Sequence, residues 1–184
     1  VMCDDESGYL SKEDGEPLGA DDGAGVWLML EMFDAGIPGT YIFHRGEERG
    51  GIGSKGMAKH HAQWLKQFKW AIAFDRRGTQ DIITHQAAGR TASDAFAQAL
   101  ADALNGADVL QYKPCDGGIF TDTANYASII PECSNVSVGY DSEHTQHEVL
   151  DYWHLELLRA RVFAAFADGV ALPATRDPSE PWEY

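Results

Sequence analysis

Four places in this chain carry side chains suited to holding a hard divalent cation or moving a proton. They are the adjacent Asp21 and Asp22, the adjacent Glu47 and Glu48, Asp75, and the group His144, His147 and Glu148. Two acids set side by side repel one another, and a bound cation removes that repulsion. The first pair sits in Leu18-Gly-Ala-Asp-Asp-Gly-Ala-Gly-Val26, where small neighbours let backbone or ligand come close. On that stretch alone a metal site and an Asp-rich cap for the following helix stand about even. Carboxylates with imidazole, and no thiolate among them, suit zinc or another divalent first-row metal. Cys3, Cys115 and Cys133 form no Cys-x-x-Cys pair and no disulfide framework. They read as free thiols of a reducing compartment, with a single disulfide left open.

These groups must be positioned by regular elements, and the periodicity supplies them. A hairpin is expected around Ser7–Gly15, and a helix from Gly23 to about Ala35, apolar on most sides and stopped by Gly36-Ile37-Pro38-Gly39. Thr40–His44 is β-branched and aromatic and reads as a buried strand that runs into the Glu47-Glu48 loop. A helix over Lys55–Phe68 follows, with Met57, His61, Trp64 and Leu65 on one side, so that His61 and Trp64 face the core; Trp70 and Trp153 read as core too. Strands are expected at Trp70–Phe74 ending on Asp75, at Asp81–His85, at Val109–Tyr112 and at Cys133–Tyr140. Ser93 caps a helix through Leu104, and a long amphipathic helix spans Glu148–Ala167. Strands alternating with helices predict an α/β class, three layers (α/β/α) around a mostly parallel sheet. In such sheets ligands collect at the carboxyl ends of the strands, where residues distant in sequence converge.

Composition bounds the rest. The 184 residues, 44% hydrophobic and 23% charged, suit one globular domain, expected over 1–172 with a poorly ordered tail at 173–184. A net charge of −15 without a basic stripe argues against nucleic acid as a partner. No apolar run reaches the length of a membrane span and no signal peptide opens the chain, so a cytoplasmic, membrane-free protein is expected, with oligomeric state open.

The order of the motifs resembles the co-catalytic di-zinc exopeptidases, the superfamily of tripeptidases, aminopeptidases and glutamate-releasing carboxypeptidases. Leu18–Val26 is similar to the segment carrying their metal-bridging Asp, and Arg45-Gly-Glu-Glu-Arg-Gly-Gly-Ile-Gly53 to their Glu-Glu loop. Ala73-Phe-Asp75 resembles the strand ending in another metal Asp, and Gly139–Glu148 the last motif, with a His shortly before a Glu. The resemblance implies a zinc-exopeptidase fold that binds one or two zinc ions or other divalent first-row metals. Asp21 would bridge the metals, Glu48 and His144 would bind the second, Asp75 the first, and Glu47 would be the general base. It implies a cis peptide bond between Asp21 and Asp22. The expected reaction is hydrolysis of a peptide or small acyl amide by metal-activated water.

Two departures qualify that expectation. The superfamily takes a further ligand from a His-x-Asp motif upstream of the bridging Asp, and no histidine precedes His44 here. The expectation is a domain lacking its N-terminal strands. The second site (Asp21, Glu48, His144) still has the three protein ligands of a catalytic zinc. A mono-metal enzyme or a non-catalytic metal-binding member of the fold is the alternative. Between Asp75 and His144 there is no room for the lid or dimerisation domain of the tripeptidase and carboxypeptidase branches, which points to a single catalytic domain of the aminopeptidase type.

Overall fold

Alternating short apolar runs and amphipathic stretches do build a layered α/β domain, seen in a computed structural model that describes residues 1–4, 6–86, 89–106 and 109–180. The elements in chain order are β1 (Met2–Asp4), β2 (Tyr9–Ser11), α1 (Ala20–Asp34), α2 (Ile52–His60), α3 (Ala62–Leu65), β3 (Trp70–Arg76), β4 (Asp81–Ile83), β5 (His85–Gln86) and β6 (Gly89–Arg90). They continue with α4 (Asp94–Asn105), β7 (Lys113–Cys115), a 3-10 turn at Asp122–Tyr126, β8 (Glu132–Ser137), β9 (Tyr140–Asp141), β10 (Val149–Asp151) and α5 (Tyr152–Phe166).

The central sheet has the order β3-β8-β4-β7. β3 and β8 run parallel with Trp70 opposite Glu132, and β4 and β7 run parallel, whereas β4 meets β8 antiparallel at Ile82 opposite Val136. The expected parallel sheet therefore holds for two of its three ladders. Successive residues of a strand point to opposite faces, and β8 shows it. Val136 joins Leu28, Ile82, Phe96, Leu100 and Leu158 under α1, α4 and α5, while Cys133 joins Leu65, Tyr126 and Ile130 under α2, α3 and the 3-10 turn. Each large apolar side chain so buried contributes about 1.5–3 kcal/mol. A second, antiparallel sheet, β1-β2-β10-β9, lies where the last motif is held.

Several local expectations are corrected by this packing. The hairpin turns earlier than expected, at Gly8, so Tyr9–Ser11 pair back onto Met2–Asp4. In α1 the Ala20, Ala24, Leu28, Met32 stripe is buried in the core, with Trp27 and Met29 packed partly against it, and Leu30 and Phe33 are exposed. The Lys55–Phe68 helix is two helices broken at His61, which turns His61 outward and leaves Trp64 exposed. Trp153 is exposed as well, while Trp70 packs partly on the core. The strand expected at Val109–Tyr112 forms instead at Lys113–Cys115, paired to β4. Thr40–His44 is not a paired strand. It runs without regular structure, and an apolar groove of about 790 Å³ lies between it and β3, the edge of the central sheet.

The tail expected to be loose is tied down in part. The Thr175 and Arg176 amides donate to Glu132 at 2.8 and 3.1 Å, and the Arg176 guanidinium donates to the carbonyls of Ala127, Ile130 and Pro131. Residues 181–184 lie outside the described residues.

Candidate metal centre

β3 carries Asp75 to its carboxyl end, and α1 starts beside it. Gly25 makes that approach possible: a Cβ there would lie 1.8 Å from the Phe74 carbonyl oxygen. The chain enters α1 through Gly19 at positive φ, and Asp21 and Asp22 keep non-helical dihedrals. The Asp21–Asp22 peptide bond is cis, as the resemblance implies. The two acids differ in role. The Asp22 carboxylate accepts the Gly25 N–H at 3.2 Å, closing the first turn of the helix, and Asp21 turns to the cleft. The cap and the cleft readings of this stretch each describe one of its two aspartates.

Glu47 and Glu48 lie in a turn rather than in extended chain. Glu47 O accepts both Gly50 and Gly51 N–H at 2.8 Å, which folds the loop back into α2. Gly51 has φ of 70° and no room for a Cβ, which would meet Asn125 Nδ2 at 2.6 Å. This turn leaves Glu47 half-buried and Glu48 exposed to solvent.

Asp21, Glu47, Glu48, Asp75 and His144 line one cleft of about 470 Å³. At its mouth His144 Nε2 stands 2.9 Å from Asp21 Oδ2 and 2.8 Å from Glu48 Oε1. These three residues offer one ligand atom each within 4.8 Å of one another, the one such group among the described residues. Tetrahedral zinc, with bonds near 2.0 Å, holds its donors about 3.3 Å apart. The present contacts would need to open by only roughly half an ångström, and an oxygen–oxygen–nitrogen donor set is one zinc accepts. The residues fit the ion.

Asp75 is adjacent to this triad rather than in it. Its carboxyl, whose ionisation is linked to that of Asp21, accepts from Thr121 Oγ1 at 2.7 Å and Tyr140 OH at 3.3 Å. The Asn135 side-chain amide brackets its backbone, accepting the Asp75 N–H and donating to the Asp75 carbonyl. Asn135 and Tyr140 were not singled out from the sequence. Their available signal was polarity inside a strand that had to be buried, since such groups persist in a core only when bonded.

Packing so many acids together has an electrostatic cost. Burial, with Asp75 alongside, raises the Asp22 carboxyl, and burial raises Asp75 and Asp21, the latter with Glu48 adding repulsion. Glu47 is lifted to about 7 by burial and by Glu48, Asp122 and Asp21. The His144 pKa is raised as well, but there the cationic form is the one favoured, by the hydrogen bond to Glu48. A divalent cation held at the triad would offset this repulsion.

An α/β domain that gathers carboxylates and an imidazole at the ends of its strands has the donor set of a divalent-metal centre. Its sequence matches Peptidase family M28 over residues 9–161, and the chain belongs to that family. No curated protein matches the sequence. Among solved structures it is similar to a tripeptidase from Staphylococcus aureus (TM-score 0.73, 15% identity, 91% of this chain and 75% of that one). It is similar also to the aminopeptidase PepT from Bacillus cereus (TM-score 0.72, 15% identity, 91% and 75%) and to the TET1 peptidase of Pyrococcus horikoshii (TM-score 0.62, 20% identity, 86% and 50%). At these identities the likeness is one of fold. The chain spans about half the length of the TET1 peptidase and three quarters of the other two.

Proposed function

We propose that this chain carries the catalytic centre of a zinc-dependent aminopeptidase, with Asp21, Glu48 and His144 as zinc ligands and Glu47 as general base. The observation that supports it best is the single cleft in which the three donors converge beside Glu47. A zinc ion held there would supply Lewis acidity, making water acidic near neutral pH and polarising a carbonyl. Glu47, lifted to about 7, is poised to take a proton from the attacking water and return it to the departing amine. The acidic cleft favours a substrate that brings a positive charge, as the free amino end of a peptide does. Asp75 is the residue for a second ion, next to Asp21. A one-metal reading is favoured by a specific observation: the Asp75 carboxylate is already engaged by Thr121 and Tyr140 and stands outside the triad.

The test is zinc titration of the apo protein with assay on unblocked short peptides, for the natural chain and Glu47→Gln. The expected outcome is zinc binding by both proteins, and turnover about 10²–10⁴-fold lower in the variant. Unchanged turnover would remove Glu47 from the role. Zinc binding without turnover in the natural chain would favour the non-catalytic member of the fold.

A further inference from the structure

Glu148 stands out among the charged residues near the cleft because it faces away from it. It is 2% exposed, in a loop whose neighbours Gln146 and His147 are open to solvent. Its two carboxylate oxygens do not meet a cation. Oε2 accepts the Gly19 N–H at 2.8 Å and Oε1 the Asp21 N–H at 2.9 Å, across more than a hundred residues of sequence. Gly19 has no side chain to cap α1, so this distant carboxylate satisfies two amides at the entry to the helix. Its own amide donates to Thr145 O at 3.2 Å, closing the turn that presents His144, and the next residue begins β10, which is paired to both β9 and β2.

One residue thus links two of the three that meet at the mouth of the cleft, by its side chain to Asp21 and by its backbone to the turn of His144. On one side it holds the backbone of Asp21, and on the other it anchors the loop of His144. Bonds from backbone N–H to a carboxylate are roughly twice as strong as neutral ones, and a pair of them fixes direction as well as distance. We propose that Glu148 is a positioning residue of the metal centre, setting the place at which the Asp21 carboxylate meets His144 and Glu48. This rests on reading the triad as a zinc site. Glu148 touches neither metal nor substrate and acts only through Asp21 and the His144 loop.

Glutamine at this position keeps the shape but has one acceptor oxygen, and its NH2 would face one of the two amides donor to donor. A purely structural role would lower stability and leave zinc affinity alone. Glu132 supplies the control, being another fully buried carboxylate that accepts backbone amides (Ser93, Thr175, Arg176), at the opposite end of β8 from Asn135 and Asp75. Zinc dissociation constants would be measured by chelator competition on the natural chain, Glu148→Gln and Glu132→Gln, each with its thermal midpoint. Glu148→Gln is expected to weaken zinc by about 10–100-fold, and Glu132→Gln to lower the midpoint with zinc affinity unchanged. If Glu148→Gln does not fold, Glu148→Asp, which keeps both oxygens but draws them back, carries the same expectation. Unchanged zinc affinity in the Glu148 variant, or equal weakening in both variants, overturns the proposal. A natural chain that binds no zinc overturns the reading of the triad itself, and the role of Glu148 with it.

Discussion

Asp22, Asp75 and Glu47 hold their protons to higher pH in the folded chain than in the unfolded one, because burial and one another's charge oppose ionisation. The sign of the consequence follows from linkage. A folded-state pKa above the unfolded value gives a contribution that is fully present below the unfolded pKa and is lost as pH rises through the folded one. For Glu47 that window runs from 4.5 to about 7. In a chelator, the thermal midpoint is therefore expected to fall as pH rises across this window. Asp22→Asn should flatten the fall, and saturating zinc should flatten it as well by offsetting the carboxylates' repulsion. A midpoint that rises with pH in the metal-free protein would contradict the assignment of these shifts. The residue types at these positions were legible in the sequence, but their protonation was not, since it depends on which acids become neighbours.

Among the elements, the contact of α1 with β3 decides whether the two halves of the cleft meet. It depends on Gly25 lying against the Phe74 carbonyl, where even a methyl group has no space. Overpacking of a close contact costs about 1–3 kcal/mol. Gly25→Ala is expected to lose that much in denaturant unfolding and to weaken metal binding, since the N-terminus of α1 carries Asp21 away from Asp75. Stability lost with metal affinity intact would show that the helix can move without the site. The sequence placed β3, α4 and its Ser93 cap within a residue or two and α1 within three, because apolar period and capping chemistry are local properties. Ser93 Oγ does accept the Phe96 N–H. It misplaced what depends on partners. Thr40–His44 has strand-forming residues but no strand beside it among the described residues, and the Lys55–Phe68 helix breaks at His61 although its apolar period continues.

For the molecule as a whole, the two cores on either face of the central sheet are closed partly by the chain after α5. Arg176 reaches three backbone carbonyls in the segment just before β8, while its own amide and that of Thr175 satisfy the buried Glu132. Removing a partner from buried polar groups costs about 1–3 kcal/mol. Arg176→Ala is expected to lower unfolding free energy by that amount while leaving zinc affinity unchanged, since these contacts lie at the far end of β8 from Asp75. An unaltered denaturation midpoint would show that water replaces the guanidinium at no cost. Composition could not reveal this docking, because a segment rich in proline and charge looks the same whether it is free or bonded.

Taken by itself, the sequence pointed to the α/β class and, through the resemblance of its motifs, to the family and the acids and imidazole of the candidate site, because these rest on residue type and local sequence. The tertiary structure alone decided that Asp21, Glu48 and His144 meet within hydrogen-bonding distance while Asp75 stands beside them. It also decided that Glu148 turns away from the cleft to hold the backbone of Asp21. The reason is physical: a carboxylate has the same chemistry wherever it lies, and only the folded chain sets whether a cation, a proton or an amide is what it meets.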